Sequence, residues 1–339
     1  MNPDSFPPNP QVAILGSGSW GTALATVLAP VASSVLLIGR DPKVLDDINT
    51  NHHNKRYLNG VDLADNISAS DDLSKVVGAE LILFVVASAA TRPVAEKLAA
   101  LDPNPNAILL ACSKGIERGT GKRMSEIISE LLPKQRLAVL SGPNHAEEVC
   151  RGLATATVIG SASEEVSAYL QGLFTAPSFR SYTSVDLAGI EWGGAIKNVF
   201  AIASGIAKGL GLGDNATAAL VTRGLAEMIR LGTALGGRPD TFVGLSGVGD
   251  LIATCYSNHS RNYRAGISIG HGNTVQETLD AEGMVVEGIP NCQSIHEAAH
   301  RADVRTPLID ALHAVLYEDK PAASALQELL TRTPRSEKD

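Results

Sequence analysis

Apolar and polar positions divide the chain into two parts with different rhythms. Up to about residue 184, short apolar runs recur at 12–15, 34–39, 81–86, 107–111 and 137–140. Segments with helical spacing separate them at 22–28, 44–51, 91–101 and 124–132, and a weaker strand signal lies at 67–69. On 91–101, Val94, Leu98 and Leu101 share one face. Continuous apolar strands alternating with helices predict a parallel sheet covered on both faces. Residues 154–159, a helix at 164–173 and residues 179–182 extend that sheet as a mixed edge. From about residue 185 the strand-like runs stop. Stretches rich in Ala, Leu and Gly at 188–209, 217–235, 289–302 and 307–317 follow a period of about 3.6 residues. Ile196, Val199, Phe200, Ala203, Ile206 and Ala207 mark one face of the first of them. This second half reads as all-helical.

The first strand runs into Gly16-Ser17-Gly18-Ser19-Trp20-Gly21, and a helix follows. Strand, G-x-G-x-x-G and helix form the dinucleotide-binding fingerprint in its required setting. Gly16 allows the tight turn, Gly18 the approach of a pyrophosphate, and Gly21 the close packing of helix on strand. The amides at the helix start then hold the phosphate charge. The fold class is therefore α/β, with an N-terminal Rossmann-like doubly wound sheet followed by an all-α C-terminal domain. Its parts read as a disordered lead-in at 1–10, a dinucleotide-binding domain at 11–184, a helical substrate and catalytic domain at 185–330 and a polar tail at 331–339.

The 339 residues accommodate two domains, and a hydrophobic content of 44% provides their cores. A net charge of -8 argues against a nucleic-acid partner. It leaves any anionic substrate to be drawn in by local basic residues. Residues 1–10 hold four prolines and no apolar segment, unlike a signal peptide. No apolar run is long enough to insert in a membrane. Cys112, Cys150, Cys255 and Cys292 form no C-x-x-C pair. The expectation is a soluble cytoplasmic protein.

Ligands of doubly wound sheets sit beyond the carboxyl ends of the strands. After the second strand, Arg40-Asp41 offers two competing cues: an acid for the ribose 2'-hydroxyl of NAD, and an arginine for the 2'-phosphate of NADP. NADP is slightly favoured, use of both stays open, and a solvated surface arginine is the alternative for Arg40. Lys114, in Ser113-Lys114-Gly115, can meet an anion or polarise an oxygen, or simply occupy an exposed turn. In Ser141-Gly142-Pro143-Asn144-His145-Ala146 the turn bares amides, and Asn144 can cap the next helix. His145 is a weaker acid–base candidate, since a lone histidine beside a cap is more often structural. Lys197 and Asn198 lie inside an apolar helix. A lysine there loses solvation and suits proton shuttling, unless it snorkels to water. Asp250, after Gly247-Val248-Gly249, can orient Lys197, bind a substrate hydroxyl or cap the next helix. Ser260-Arg261-Asn262 can cradle a phosphate or form a polar interhelical loop, and Glu287 can meet a ribose hydroxyl.

The motifs Gly16-x-Gly18-x-Trp20-Gly21, Ser113-Lys114-Gly115, Ser141-Gly142-Pro143, Glu191-x-x-x-Ala195-x-Lys197-Asn198, Gly247-x-Gly249-Asp250-Leu251, Ser260-Arg261-Asn262 and Glu287-Gly288 run in this order across residues 11–317. With them the chain resembles the bacterial-type NAD(P)-dependent glycerol-3-phosphate dehydrogenases. The resemblance implies reversible hydride transfer between NAD(P)H and dihydroxyacetone phosphate, giving sn-glycerol 3-phosphate for phospholipid synthesis, in a homodimer. It implies Lys197 as proton donor and acceptor at the C2 oxygen, with Lys114 and Asp250 bordering the reacting groups. Substrate contacts would come from Lys114, Gly142, Asn144, Lys197, Asp250, Ser260, Arg261 and Asn262. Cofactor contacts would come from Gly16, Gly18, Ser19, Trp20, Gly21, Arg40, Tyr57, Lys114, Ala146, Arg261, Val285 and Glu287, with Trp20 as an apolar wall.

Two positions depart from the family pattern. Asn144 stands where Ser or Thr is commoner, which keeps a donor but puts the hydroxyl contact in doubt. Ala87 stands where Pro is expected, at some cost in turn rigidity. The chemistry agrees independently: hydride arrival at a ketone leaves alkoxide charge, which a positioned ammonium can stabilise and protonate. No metal is needed, and no His, Cys and Asp cluster suggests one. Two rivals stand beside this reading. One is a two-domain NADP-dependent hydroxyacid reductase, against which the phosphate cradle argues. The other is a non-catalytic dinucleotide sensor, against which Lys197, Lys114 and Asp250 argue.

Overall fold

The computed structural model describes residues 6–333 and Ser336. The first half runs β1 (Gln11–Leu15), α1 (Ser19–Leu28), β2 (Ser34–Ile38), α2 (Pro42–Asn51), a small hairpin of β3 (His53–Asn54) and β4 (Leu58–Asp62), then β5 (Ile67–Ser70) and β6 (Leu81–Phe84). It continues with α3 (Thr91–Ala99), β7 (Ile108–Ala111), α4 (Met124–Leu131), β8 (Arg136–Ser141), α5 (Ala146–Cys150), β9 (Thr155–Ser161), α6 (Glu164–Phe174) and β10 (Phe179–Ser184). Eight strands form one sheet in the order β10-β9-β8-β7-β6-β1-β2-β5. Its pairs are parallel except β8 with β9, so β9 and β10 are the mixed edge that the sequence suggests. Val12 and Ile14 of β1 pack on one face of the sheet, Ala13 and Leu15 on the other. Both faces are dry, which is why these strands read as unbroken apolar runs. β1 lies between β2 and β6, so strand order reverses there, and a crevice opens at the carboxyl ends.

The second half is α7 (Leu187–Gly209), α8 (Asp214–Ala234), α9 (Pro239–Phe242), a π-helical turn at Leu245–Gly249, α10 (Asp250–Cys255), α11 (Arg261–Gly270), α12 (Val275–Glu282), α13 (Gly288–Arg301), α14 (Pro307–Tyr317) and α15 (Ala322–Leu330). The single apolar face expected for α7 is a correction: from Gly189 to Ala207 the helix is buried on all sides except at Ala203. A helix apolar all round belongs at the centre of a domain, and α8, α10, α11, α13 and α14 surround it. Its approach to α11 is closest at two glycines. A Cβ on Gly205 would lie 2.1 Å from the Tyr263 carbonyl oxygen, and one on Gly266 2.1 Å from that of Ile202. This contact seats the start of α11 beside the middle of α7.

Three smaller expectations change. Leu101 is exposed, and α3 buries Thr91, Ala95 and Leu98 instead. Residues 6–10 of the lead-in are held rather than loose: Phe6 stacks on Tyr169 at 4.5 Å, and the Tyr169 hydroxyl donates to the Pro7 carbonyl at 2.8 Å. One aromatic side chain supplies the apolar anchor that the prolines lack. The β3–β4 hairpin, which has no alternating apolar pattern, is unexpected. Residues 1–5, 334–335 and 337–339 lie outside the described residues.

Glu227 shows how the helical core handles a buried charge. Its carboxylate accepts from the Leu308 amide at 2.8 Å and the Ile309 amide at 3.2 Å, capping α14 from a neighbouring helix. Burial pushes its pKa up to about 7, against the pull of those amides. Between pH 4.5 and 7 the folded chain therefore holds a proton that the unfolded chain releases. Stability from this group is present below that window and is lost as pH rises through it, by on the order of 3 kcal/mol. Urea unfolding of wild type and Glu227→Gln at about pH 5 and about pH 7.5 checks the sign. The variant is expected to lose less stability than wild type between the two; an equal or greater loss contradicts the assignment.

Candidate active site

At the switch point the chain turns through Gly16 at φ 128°, a conformation that disfavours any side chain. A Cβ there would lie 2.7 Å from the Val85 carbonyl oxygen, just past β6, and one on Gly21 would lie 1.9 Å from the Gly16 oxygen. The N-cap of α1, Gly18, has no side chain to occupy the helix's first amides, so they are available to an anion. Trp20 is half-buried, and its indole Nε1 has no hydrogen-bond partner. The unexpected hairpin braces this loop. Asn54 donates to the Ser17 carbonyl at 3.0 Å and to Thr22 Oγ1 at 2.8 Å, while Ser19 Oγ donates to the Tyr57 carbonyl at 3.1 Å.

Past β2 the competition between Arg40 and Asp41 takes a definite form. The Asp41 carboxylate caps α2 by accepting from the Lys43 amide at 3.0 Å, and it pairs with Arg56. The Lys43 backbone amide, followed by the Arg56 charge, holds its pKa below the usual carboxylate range against some burial. Arg40 is exposed.

A chain of charges lies at the ends of β7 and β8. Lys114 Nζ donates to the Gly142 carbonyl at 2.9 Å, Asn144 Oδ1 at 2.7 Å and Asp250 Oδ2 at 2.7 Å. The other Asp250 oxygen meets Lys197 Nζ at 3.0 Å. Lys197 also donates to Thr254 Oγ1 at 2.7 Å. Lys197 does not snorkel; its side chain is 7% exposed, and Asp250 is 3% exposed. Burial lowers the Lys114 pKa to about 8, opposed by the Asp250 charge and reinforced by Lys197. Burial acts to raise Asp250, but the two ammonium groups outweigh it and keep its carboxyl below the usual range. A carboxylate held between two lysines is a preorganised polar array in a water-poor setting.

Several side chains do something other than the sequence suggests. Asn144 is not a helix cap: His145 occupies the cap position of α5, and the Asn144 oxygen is turned to Lys114, leaving its buried Nδ2 without a partner. His145 places Nε2 3.2 Å from the Ala253 carbonyl, and burial lowers its pKa. Asp250 begins α10, but its carboxylate serves the lysines instead of the helix end. Ser260-Arg261-Asn262 is not a loop: Ser260 caps α11 by accepting from the Tyr263 amide at 3.2 Å. Asn262 is also engaged, donating to Asn198 Oδ1 at 2.9 Å and accepting from the Gly288 amide at 2.8 Å. Arg261 donates to the Val285 carbonyl at 2.9 Å. Glu287 accepts from the Ser88 amide at 2.9 Å and its hydroxyl at 2.5 Å, 199 residues away in sequence. Ala87, at φ -54°, already adopts the backbone angle that proline would impose. Ala146 is buried in α5, and Val285 is exposed.

Three residues escaped the sequence reading: Thr254, Ser88 and Asn291, whose amide donates to the Lys114 carbonyl at 3.1 Å. Only Thr254 left a signal, four residues after Asp250 and so on the same helix face. Glu191 is structural, accepting from Arg123 at 2.7 Å and from the Ser125 amide at 2.8 Å. The expectation of no metal-ligand cluster is also corrected: His296, His300 and Asp310 converge on α13 and α14. The two histidines are four apart, but Asp310 joins them only through the turn between helices.

A glycine-rich turn at the switch point of a doubly wound sheet, together with a lysine–aspartate–lysine array that joins the sheet's Lys114 to Asp250 and Lys197 of the helical domain, defines a two-domain dinucleotide-dependent oxidoreductase. Residues 11–167 match the family described as NAD-dependent glycerol-3-phosphate dehydrogenase N-terminus, and residues 186–327 match the corresponding C-terminus. The chain belongs to the NAD-dependent glycerol-3-phosphate dehydrogenase family. A glycerol-3-phosphate dehydrogenase [NAD(P)+] of Enterococcus faecalis is 46% identical over 336 residues, covering 97% of this chain and 98% of its own. The crystal structure of glycerol-3-phosphate dehydrogenase from Coxiella burnetii superposes with a TM-score of 0.92 at 38% identity, covering 96% of this chain and 100% of its own. A ketopantoate reductase from Ralstonia eutropha shares the fold at a TM-score of 0.61 and 21% identity, covering 93% and 99%.

Proposed function

We propose that this protein is an NAD(P)-dependent sn-glycerol-3-phosphate dehydrogenase that reduces dihydroxyacetone phosphate in the cytoplasm, as a homodimer, for glycerophospholipid synthesis. The observation that carries the reading is the Lys114–Asp250–Lys197 array at the carboxyl edge of the sheet. The division of labour follows the chain, with 11–184 holding the dinucleotide and 185–330 the substrate and proton donor. The free amides after Gly18 and the unpartnered Trp20 indole fit a coenzyme at the glycine loop. Gly16, Gly21, Ser19, Tyr57, Ala146, Val285 and Glu287 complete its surroundings. The nicotinamide coenzyme supplies the hydride.

Lys197 delivers a proton to the C2 oxygen, and Asp250 holds that ammonium in place. Lys114 polarises the carbonyl, while the free Nδ2 of Asn144 and the backbone at Gly142 orient the substrate. The substrate phosphate lies at the start of α11, where the helix dipole and Arg261 favour an anion. Ser260 and Asn262 shape that turn. Among the described residues no helix is long and apolar enough to cross a membrane. Loss of NADPH absorbance on adding dihydroxyacetone phosphate tests the activity; no loss with either NADPH or NADH overturns it.

NADP is the favoured coenzyme because Asp41 is committed to its helix cap and to Arg56, leaving Arg40 to face a 2'-phosphate. Arg40→Asp is expected to raise KM for NADPH roughly 10-fold or more while leaving NADH nearly unaffected. Steady-state kinetics with both coenzymes check this, and an unchanged preference removes Arg40 from the site.

A further inference from the structure

We infer that the helical domain carries a zinc site formed by His296, His300 and Asp310. The two histidines are four residues apart on α13, so their rings rise from one face. Asp310, in the first turn of α14, faces them across the interhelical turn. The His296 and His300 Nε2 atoms are 3.0 Å apart, and Asp310 Oδ1 lies 3.5 Å from the first and 3.8 Å from the second. The centre of that triangle is about 2.0 Å from each corner, the length of a zinc bond to imidazole nitrogen or carboxylate oxygen. Two imidazole nitrogens that face each other share at most one proton between them. A cation at the centre engages both lone pairs and the carboxylate together.

The surroundings hold the donors in place. His313 stacks on the His296 ring at 3.9 Å, nearly parallel at 10°, and Tyr317 stacks on His313 at 5.1 Å. Glu318 lies 3.1 Å from His313 Nδ1, and Thr306 donates to the same Asp310 oxygen at 3.3 Å. Fixed ring planes and a hydrogen-bonded carboxylate are what orient metal ligands.

The donor set selects the ion. Imidazoles exclude Mg2+ and Ca2+, which take oxygen ligands. Two imidazoles and one carboxylate are a donor set that zinc takes, with water completing the coordination. The side chains of His300 and Asp310 are 65% and 46% exposed, which leaves a path for the ion and room for that water. Bound zinc would staple α14 to α13, the helix that starts at Gly288 beside Glu287. It lies outside the proposed catalytic array, so turnover does not require it.

Full-length, tag-free protein stripped with EDTA tests the site by calorimetric titration and thermal melting with ZnCl2. One ion per chain is expected to bind with micromolar affinity and to raise Tm by several degrees at about 100 times Kd, with no effect of MgCl2. His300→Gln and Asp310→Asn should each weaken binding by roughly 10-fold or more and erase the Tm shift. Their zinc-free rates of NADPH oxidation should equal wild type, showing that both exposed substitutions fold. No zinc binding to wild type at about 100 micromolar overturns the site, as does undiminished binding in both variants, which would place the ion elsewhere.

Discussion

Lys197→Ala is expected to lower kcat by about 100- to 10,000-fold while leaving coenzyme affinity close to wild type. The magnitude is that of a positioned proton donor, whose loss leaves the C2 oxygen without a proton source held in place. The affinity is retained because the glycine loop and Trp20 lie at the junction of β1 and α1, whereas Lys197 pairs with Asp250 and Thr254 of α10. Asp250 keeps Lys114 as a partner, so the variant does not bury a bare charge. Steady-state turnover and a fluorescence titration with NADPH separate the two effects. Near-normal turnover removes Lys197 from the mechanism; lost coenzyme binding along with lost turnover points to a collapsed site instead.

Asp250→Asn carries the second large effect, a loss of about 100-fold or more in kcat/KM together with a displaced pH profile. In wild type, Lys114 titrates at about 8, and its ammonium is the form that polarises a carbonyl, so kcat/KM should fall as pH rises through 8. Burial drives the proton off, and the Asp250 charge is the main influence that retains it. The asparagine removes the charge and keeps the shape, so the alkaline limb should move to lower pH. A profile of kcat/KM from about pH 6 to pH 9.5 reads this directly. A limb that stays at 8 in the variant assigns the titration to another group.

The sheet was legible because its strands are buried on both faces, and β1, β6 and β7 consequently announce themselves as apolar runs. β9 was legible for the same reason, whereas β10, an edge strand, shows burial that alternates at its start. The β3–β4 hairpin was not, because it leans on the glycine loop through Asn54 and Ser19 and carries almost no apolar pattern. Within the site, the positions of Lys114, Lys197 and Asp250 could be read from strand ends and an interrupted helix, but the ion pairs joining them could not. Those pairs depend on α10 returning to α7, a packing relation set in part by the glycines shared with α11. Asn144 illustrates the limit. A polar residue before a helix reads as a cap, and only a lysine 30 residues away decides otherwise.

The burial of α7 on all sides has a consequence for how the protein is made. A helix with no solvent face has no stable position until its neighbours exist. The last of those that surround it, α14, ends at Tyr317, about 100 residues after Gly209. At roughly 5–20 residues per second on the ribosome, α7 waits about 5–20 s for its cover. During that interval its apolar surface is open to other nascent chains, and the completed sheet cannot shield all of it. Slower synthesis lengthens the exposure of the helix bearing Lys197.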